Sequence, residues 1–387
     1  MADASLALTV LVVLTAIGFD FTNGFHDTAN AMATTIATGA LRPRVAVGLA
    51  AILNFAGAFI SVSVAATIAN GIVDQGAVTL EVVFAGLAGA ILWNVVTWFF
   101  GIPSSSSHAL IGGVIGATLA AAGSNGVLWK GLVIDVISPG VLAVLVAGFG
   151  AWLATRTAYA ATARVAGDLP PRRFRLAQVA SSSMVALAHG TNDAQKTMGV
   201  IVLALVAGGR LAPGAGVPTW VKVVCAVAIA AGTYSGGWRV IRTLGKRVTE
   251  IQSPQGFASE TASSATILAS SFFGFPLSTT QVVAGGVMGA GLGRRGGVVR
   301  WAVAGRMGVA WVLTLPMAGL VGAAGYGATT LFDSPTTGVV VVGLVMLAAV
   351  LGLCLAARRT RVGPDNVNDE ADAPVTAPRP VAEGAAA

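Results

Sequence analysis

One short element stands twice in this chain, inside runs that are otherwise apolar. Residues 101–117 read GIPSSSSHALIGGVIGA and residues 274–290 read GFPLSTTQVVAGGVMGA. They align without a gap at an offset of 173, and Gly101, Pro103, Ser105, Gly112, Gly113, Val114, Gly116 and Ala117 each meet an identical residue. A Gly-x-Pro break stops a helix, because proline lacks the N–H and pushes its predecessor out of the α region. A chain that doubles such a break folds as two related halves. Each half must find partners for the backbone groups the break frees, and paired breaks of this kind point to a transported ligand's site.

Composition decides the solvent. Hydrophobic residues make up 55% of the chain and charged residues 10%, against about 25% charged in soluble domains. Apolar runs long enough to cross a bilayer recur along the length, so the reading is an all-α polytopic membrane protein. A barrel would show short alternating segments instead. Residues 6–19 are apolar and their flank MADAS carries no Lys or Arg, which reads as an uncleaved first span rather than a signal peptide. Cys225 and Cys354 stand singly in apolar runs and give neither a disulfide frame nor a metal spacing.

The net charge of +7 does not point to nucleic acid, because the basic residues gather in five loop clusters. These are Arg42 and Arg44; Arg156, Arg164, Arg172, Arg173 and Arg175; Arg239, Arg242, Lys246 and Arg247; Arg294, Arg295, Arg300 and Arg306; and Arg358, Arg359 and Arg361. The intervening loops hold Lys130, Arg210 and Lys222. By the positive-inside rule the clusters are cytoplasmic and the chain starts outside the inner (plasma) membrane. The expected order is a first transmembrane repeat over 1–153, a basic cytoplasmic linker over 154–177, and a second, inverted repeat over 178–325. A final helix over 337–357 and a disordered cytoplasmic tail over 358–387 follow. Within the first repeat, 6–40 cross inward, 45–72 cross outward, 82–121 form a re-entrant helical hairpin turning at Pro103, and 131–153 cross inward. The second runs from the other side: crossings over 178–207 and 220–241, a hairpin over 255–292 turning at Pro276, and a crossing over 301–325.

The first span reads GFDFTNGFHDTANAMATT and sets Asp20, Asn23, His26, Asp27 and Asn30 among apolar residues. A charge at mid-bilayer costs about 2.5–3.5 kcal/mol on insertion scales, so such a group faces a cavity or a partner. Asn23, Asp27 and Asn30 recur at three to four residues and share a helix face, stacking oxygens that suit a proton or a cation. Gly24 is expected to loosen the helix and free carbonyls for coordination. The second half answers with LAHGTNDAQKTMG, where Gly190, Asn192 and Asp193 align with Gly24, His26 and Asp27 at an offset of 166. Lys196 stands where the first half has Asn30. A fixed charge in place of a bound cation favours proton over sodium coupling. Glu260, early in the second hairpin, joins this set as a relay, while Asn54 and Asn94 suit hydrogen bonding between helices.

At the two tips, Ser104, Ser105, Ser106 and Ser107, and Ser278, Thr279 and Thr280, fall at a helix cap and first turn. His108 and Gln281 come next. Hydroxyls, free N–H groups and the helix dipole converge there, which makes an anion site without Arg or Lys. Two such tips facing each other would enclose a tetrahedral oxyanion. Ser105 and His108 also raise the alternative of a membrane-embedded serine enzyme. The second copy has Gln281 instead of His108, and a triad needs an orienting acid. The expectation is therefore a transporter with no catalytic residue, no cofactor and no permanent metal.

The segments NGFHDTANAMAT, GIPSSSSHALIGG, HGTNDAQKTMG, GGWRVIRTLGK and GFPLSTTQVVAGG resemble, in order, the signatures of the PiT family of inorganic phosphate transporters, in its bacterial low-affinity branch. The resemblance spans residues 10 to 357. It implies phosphate uptake by secondary symport, a midplane site within an inverted repeat, and a homodimer in the lipid bilayer. By the same resemblance, Ser105 to Ser107 and Ser278 to Thr280 contact phosphate, while Asp27 and Asp193 with their Asn neighbours handle co-transported H+ or Na+. Sodium-coupled members carry Asn where Lys196 stands, and many members carry an acid near Asn54. Both departures point to the proton-coupled type, which carries phosphate with a divalent metal as a neutral complex. Sodium coupling and sulfate permeation are the alternatives within the family.

Overall fold

The computed structural model describes residues 2–162 and 171–369. Arg164 and Pro170 of the linker, and the tail from 370 onward, lie outside them. The described chain is helical, with two isolated β-bridges, Val73 to Val127 and Thr249 to Val299. In order the helices are α1 (Ala2–Ala37), α2 (Pro43–Gly57), α3 (Ser63–Asn70), α4 (Leu80–Phe99), α5 (Ser106–Ala122) and α6 (Trp129–Ala161). The second half continues with α7 (Pro171–Ala207), α8 (Thr219–Ser235), α9 (Trp238–Arg247), α10 (Ser253–Phe273), α11 (Thr279–Gly293), α12 (Trp301–Thr329) and α13 (Pro335–Ala357). Helices α1, α4, α6, α12 and α13 are long and apolar enough to span a bilayer, and the bent pair α8–α9 makes a sixth candidate. Exposed Leu145 and Phe149 on α6, Val312 on α12 and Leu344 on α13 suit a lipid surface, since hydrocarbon has no use for polar side chains.

Helices α1, α2, α7 and α8 form the centre, and glycines set how closely they cross. A Cβ on Gly24 would fall 2.3 Å from Ile229 O, and one on Gly232 would fall 2.1 Å from Phe21 O. In the same way Gly57 meets Leu187 O and Gly190 meets Asn54 O, each at 2.3 Å. Gly24 therefore does not loosen α1, as the sequence suggested. The helix runs unbroken past it, and the missing side chain serves backbone-to-backbone packing.

Two expected crossings are broken. The stretch 45–72 divides into α2 and α3, and 220–241 divides into α8 and α9 with a bend of 61°. Each short distal helix grips the break of a hairpin. Thr67 of α3 donates to Gly274 O at 2.8 Å, and Thr243 of α9 donates to Gly101 O at 2.8 Å. Gly101 and Gly274 hold φ of 65° and 80°, a left-handed conformation that costs other residues 1 kcal/mol or more, roughly. That is why both breaks keep glycine.

The hairpins α4–α5 and α10–α11 flank the centre, and each is clasped by a helix from the other half. Gly116 of α5 lies against α12, where a Cβ would come 2.0 Å from Gly319 O. Gly289 of α11 lies against α6, where a Cβ would come 1.9 Å from Gly148 O. Beyond α13 the chain stays in place as far as Asp369, although disorder was expected from 358. Arg239 lies over the rings of Trp98 and Phe99 and donates to Phe99 O (2.8 Å), Ala357 O (2.9 Å) and Thr360 O (2.8 Å). Arg242 donates to Asn366 O, Asn368 to Ile36 O, and Val367 is buried.

Candidate substrate and ion site

The hairpins end in matched caps. Ser105 Oγ accepts from His108 N (3.0 Å) at the head of α5, and Ser278 Oγ accepts from Gln281 N (3.3 Å) at the head of α11. Each cap satisfies one donor of the first turn and leaves the amides of the two following residues without an intrahelical acceptor. The residues that follow the two caps, Ser106 and Ser107, and Thr279 and Thr280, are buried. The tips also meet each other: Ser107 donates to Leu277 O at 3.1 Å, and the Gln281 amide lies 3.2 Å from His108 Nδ1. Ser105 spends its oxygen on the cap and His108 faces Gln281, so this pair lacks the geometry of a nucleophile and base.

Lys196 changes the electrostatics of the tips. It is 1% exposed and does not reach a membrane rim. Its ammonium donates to Ser107 Oγ (2.5 Å) of one tip, to Leu277 O (2.7 Å) of the other, and to Asp193 Oδ1. The anion site read from the sequence as free of Lys and Arg thus has an ammonium at its seam. Spacing along α7 gave the pair Asp193 and Lys196 but not the direction in which the long side chain points.

The acids approach the tips from both central long helices. Thr279 donates to Asp193 Oδ2 (3.1 Å) and Thr280 to Asp27 Oδ1 (3.4 Å), and Asn30 donates to Thr279 Oγ1 (3.2 Å) and Thr280 Oγ1 (3.0 Å). His26 Nδ1 lies 2.6 Å from Asp27 Oδ1, while its Nε2 faces Thr97 (3.3 Å) and Ser104 (3.4 Å). Ser104 is therefore behind the cap, donating to Thr97 Oγ1 at 2.8 Å, not in the first turn. Ser106 Oγ and Asn30 Oδ1 are buried without a partner.

Other candidates lie elsewhere. Asn192 donates to Ser271 Oγ (2.9 Å) and Phe275 O (3.3 Å), tying α7 to the second hairpin as His26 ties α1 to the first. Asn23 stands apart from Asn30, its Oδ1 unpartnered. Glu260 accepts from Thr34 (2.5 Å), Thr35 (2.8 Å), Gln178 (3.3 Å) and Ser181 (2.5 Å), a buried carboxyl ringed by donors rather than by a cation. Asn94 is buried with both amide atoms unpartnered.

Sequence reasoning passed over His189, which aligns with Asn23 in the repeat. Its Nδ1 lies 3.1 Å from Asn54 Oδ1 and its Nε2 3.1 Å from Asp193 Oδ2, the latter without hydrogen-bond geometry. Asn54 in turn donates to Thr233 Oγ1 at 2.7 Å. Asp27, His189 and Asp193 offer ligand atoms within 4.8 Å of one another. The Lys196 ammonium already sits on Asp193, and a metal ion there would face that charge across one carboxylate. With Lys196 already on Asp193, the trio fits a polar network closed by that ammonium better than a metal centre.

Comparison with known proteins agrees with this architecture. Residues 23–166 and 159–322 match the family described as the phosphate transporter family. A relative from Mycobacterium bovis, named "Probable low-affinity inorganic phosphate transporter", is 56% identical, covering 97% of this chain and 90% of that one. Relatives with the same name from Rhizobium meliloti and Bacillus subtilis are 46% and 41% identical. A solved structure titled "The sodium-dependent phosphate transporter" shares the fold at TM-score 0.73 and 24% identity, covering 84% of this chain and all of that one. Doubled hairpin, doubled carboxylate and match over both halves agree: the chain belongs to the phosphate transporter family.

Proposed function

We propose that this protein imports inorganic phosphate in symport with protons, binding the anion between its two hairpin tips. The observation that carries the reading is Lys196, shared by Asp193 and both tips. Phosphate arriving between Ser106, Ser107, Thr279 and Thr280 competes with Asp193 for the ammonium. Relieved of its partner in a dry site, Asp193 takes up a proton, because an unpaired buried carboxylate is costly. Binding of anion and proton then reinforce each other. The carboxylates also favour phosphate over sulfate. Monobasic phosphate keeps O–H groups that can donate to a carboxylate oxygen of Asp27 or Asp193, whereas sulfate has none to offer.

The reciprocal glycine contacts of Gly57 and Gly232, and the reciprocal grips of Thr67 and Thr243, support an inverted repeat. Rocking one set of elements against the other about the tips would alternate access. A metal–phosphate complex, if carried, is cargo held by the anion. The homodimer and the cytoplasmic placement of the basic clusters complete the proposal.

Radiolabelled phosphate flux into proteoliposomes, with proton and sodium gradients imposed separately, tests the coupling. Accumulation is expected with a proton gradient in the absence of sodium, and accumulation that follows sodium alone would overturn the assignment. Sulfate in large excess is expected to leave uptake intact. Ser106→Ala removes one hydroxyl from a buried anion, worth about 1.5–3 kcal/mol, so the KM for phosphate should rise roughly ten- to hundredfold. An unchanged KM would take Ser106 out of the site.

A further inference from the structure

Asp20 takes no part in the hairpin site, yet it is fully buried on α1. Thr197 donates to its Oδ1 at 2.9 Å, and its Oδ2 has no partner. One turn along the same helix Asn23 is 1% exposed, its side chain lies against the Asp20 carboxyl, and its own Oδ1 is also unpartnered. The groups that face Asp20 are Asp193 and Lys196 from α7 and Cys225 from α8; His26 and Asp27 follow on its own helix. Lys196 is committed to Asp193 and the tips, and His26 to Asp27. No cation is left for Asp20 among the described residues.

A buried carboxylate met only by the neutral side chains of Thr197, Asn23 and Cys225, with no counter-charge of its own, is costly, while a neutral carboxylic acid is not. A single proton on Oδ2 would give that orphan atom an O–H, and Asn23, whose own Oδ1 is unpartnered, is the neighbouring amide that a turn of its side chain would offer as acceptor. We propose that Asp20 and Asn23 form a second proton site, separate from the pair of Asp193 and Lys196, which loads and releases one proton in each transport cycle. It rests on the proton-symport reading. The link to phosphate is the neighbour of Thr197: when the Lys196 ammonium turns toward the anion, the charge that Asp20 faces moves with it. The proton forms an O–H bond with Oδ2 from water on one side and is returned to water on the other, with no other bond changed.

Asp20→Asn is the direct test. The amide keeps the shape and can donate to Asn23 as the acid would, but it cannot release a proton. In proteoliposomes the phosphate accumulated per unit of imposed pH difference is expected to fall about tenfold, the contribution of one proton. The proton-to-phosphate ratio, read with an internal pH dye, should drop by one. An independent readout needs no transport: the infrared difference between parent and Asp20→Asn should show a protonated-carboxyl C=O band at neutral pH. Thr197→Val, which leaves the carboxyl in place, should keep that band. An Asp20→Asn protein with the parental ratio, or the absence of the band from the parent, overturns the Asp20 site while proton symport stands. A parent that accumulates phosphate only on a sodium gradient overturns the proton-symport reading, and this site with it.

Discussion

Lys196→Met is expected to abolish phosphate uptake and to destabilise the protein together. The substitution leaves Asp193 buried without its ammonium, and breaking a buried pair from one side costs about 3–5 kcal/mol. It also strips both tips of their shared donor, Ser107 on one and Leu277 on the other. The two losses can be separated. Lys196→Met combined with Asp193→Asn removes the stranded charge, so thermal unfolding in detergent should return most of the way toward the parent. Uptake should not return, because neither the ammonium nor the proton acceptor is restored. A Lys196→Met protein that carries phosphate with parental KM would refute the role given to the seam.

Gly289→Leu should prevent assembly. The first added carbon would stand 1.9 Å from Gly148 O, and Gly148 Cα would lie at 2.9 Å. The obstacle is backbone on a neighbouring span, so no rotamer change relieves it. Even a single added carbon overpacks the contact, at about 1–3 kcal/mol or more, and a full leucine parts α11 from α6. Gly352 provides the control, with nothing within 4 Å of an added Cβ. Gly352→Leu should elute as the parent does in fluorescence-detected size exclusion, whereas Gly289→Leu should aggregate. A monodisperse Gly289→Leu would mean that the clasp is looser than described.

Much of the architecture could be read in advance because it depends on local chemistry. Proline and glycine stop helices wherever they stand, so Gly101 to Pro103 and Gly274 to Pro276 announced two hairpins. Serine at a cap needs only its own first turn, so Ser105 and Ser278 were visible too. What escaped reading depends on rotation and reach. Asn23, Asp27 and Asn30 share a face by count, yet Asn30 meets the second tip while Asn23 turns to Asp20. Lys196 could have extended to a rim or folded back to Asp193, and the sequence holds no record of the carbonyl of Leu277 that draws it inward. His189 was hidden for a similar reason. Its partner Asn54 lies 135 residues away, and neither looks exceptional alone. The repeat located the paired acids, and tertiary packing decided which of their neighbours each one keeps.

The crossed clasps carry one more consequence. Helix α12 closes over α5, and α6 over α11, so each half of the sequence supplies the lid of the other half's hairpin. Neither half owns a complete surface for its own helices. One half on its own would leave its hairpin unclasped, with the face that carries Gly116 or Gly289 bare of the helix that packs on it.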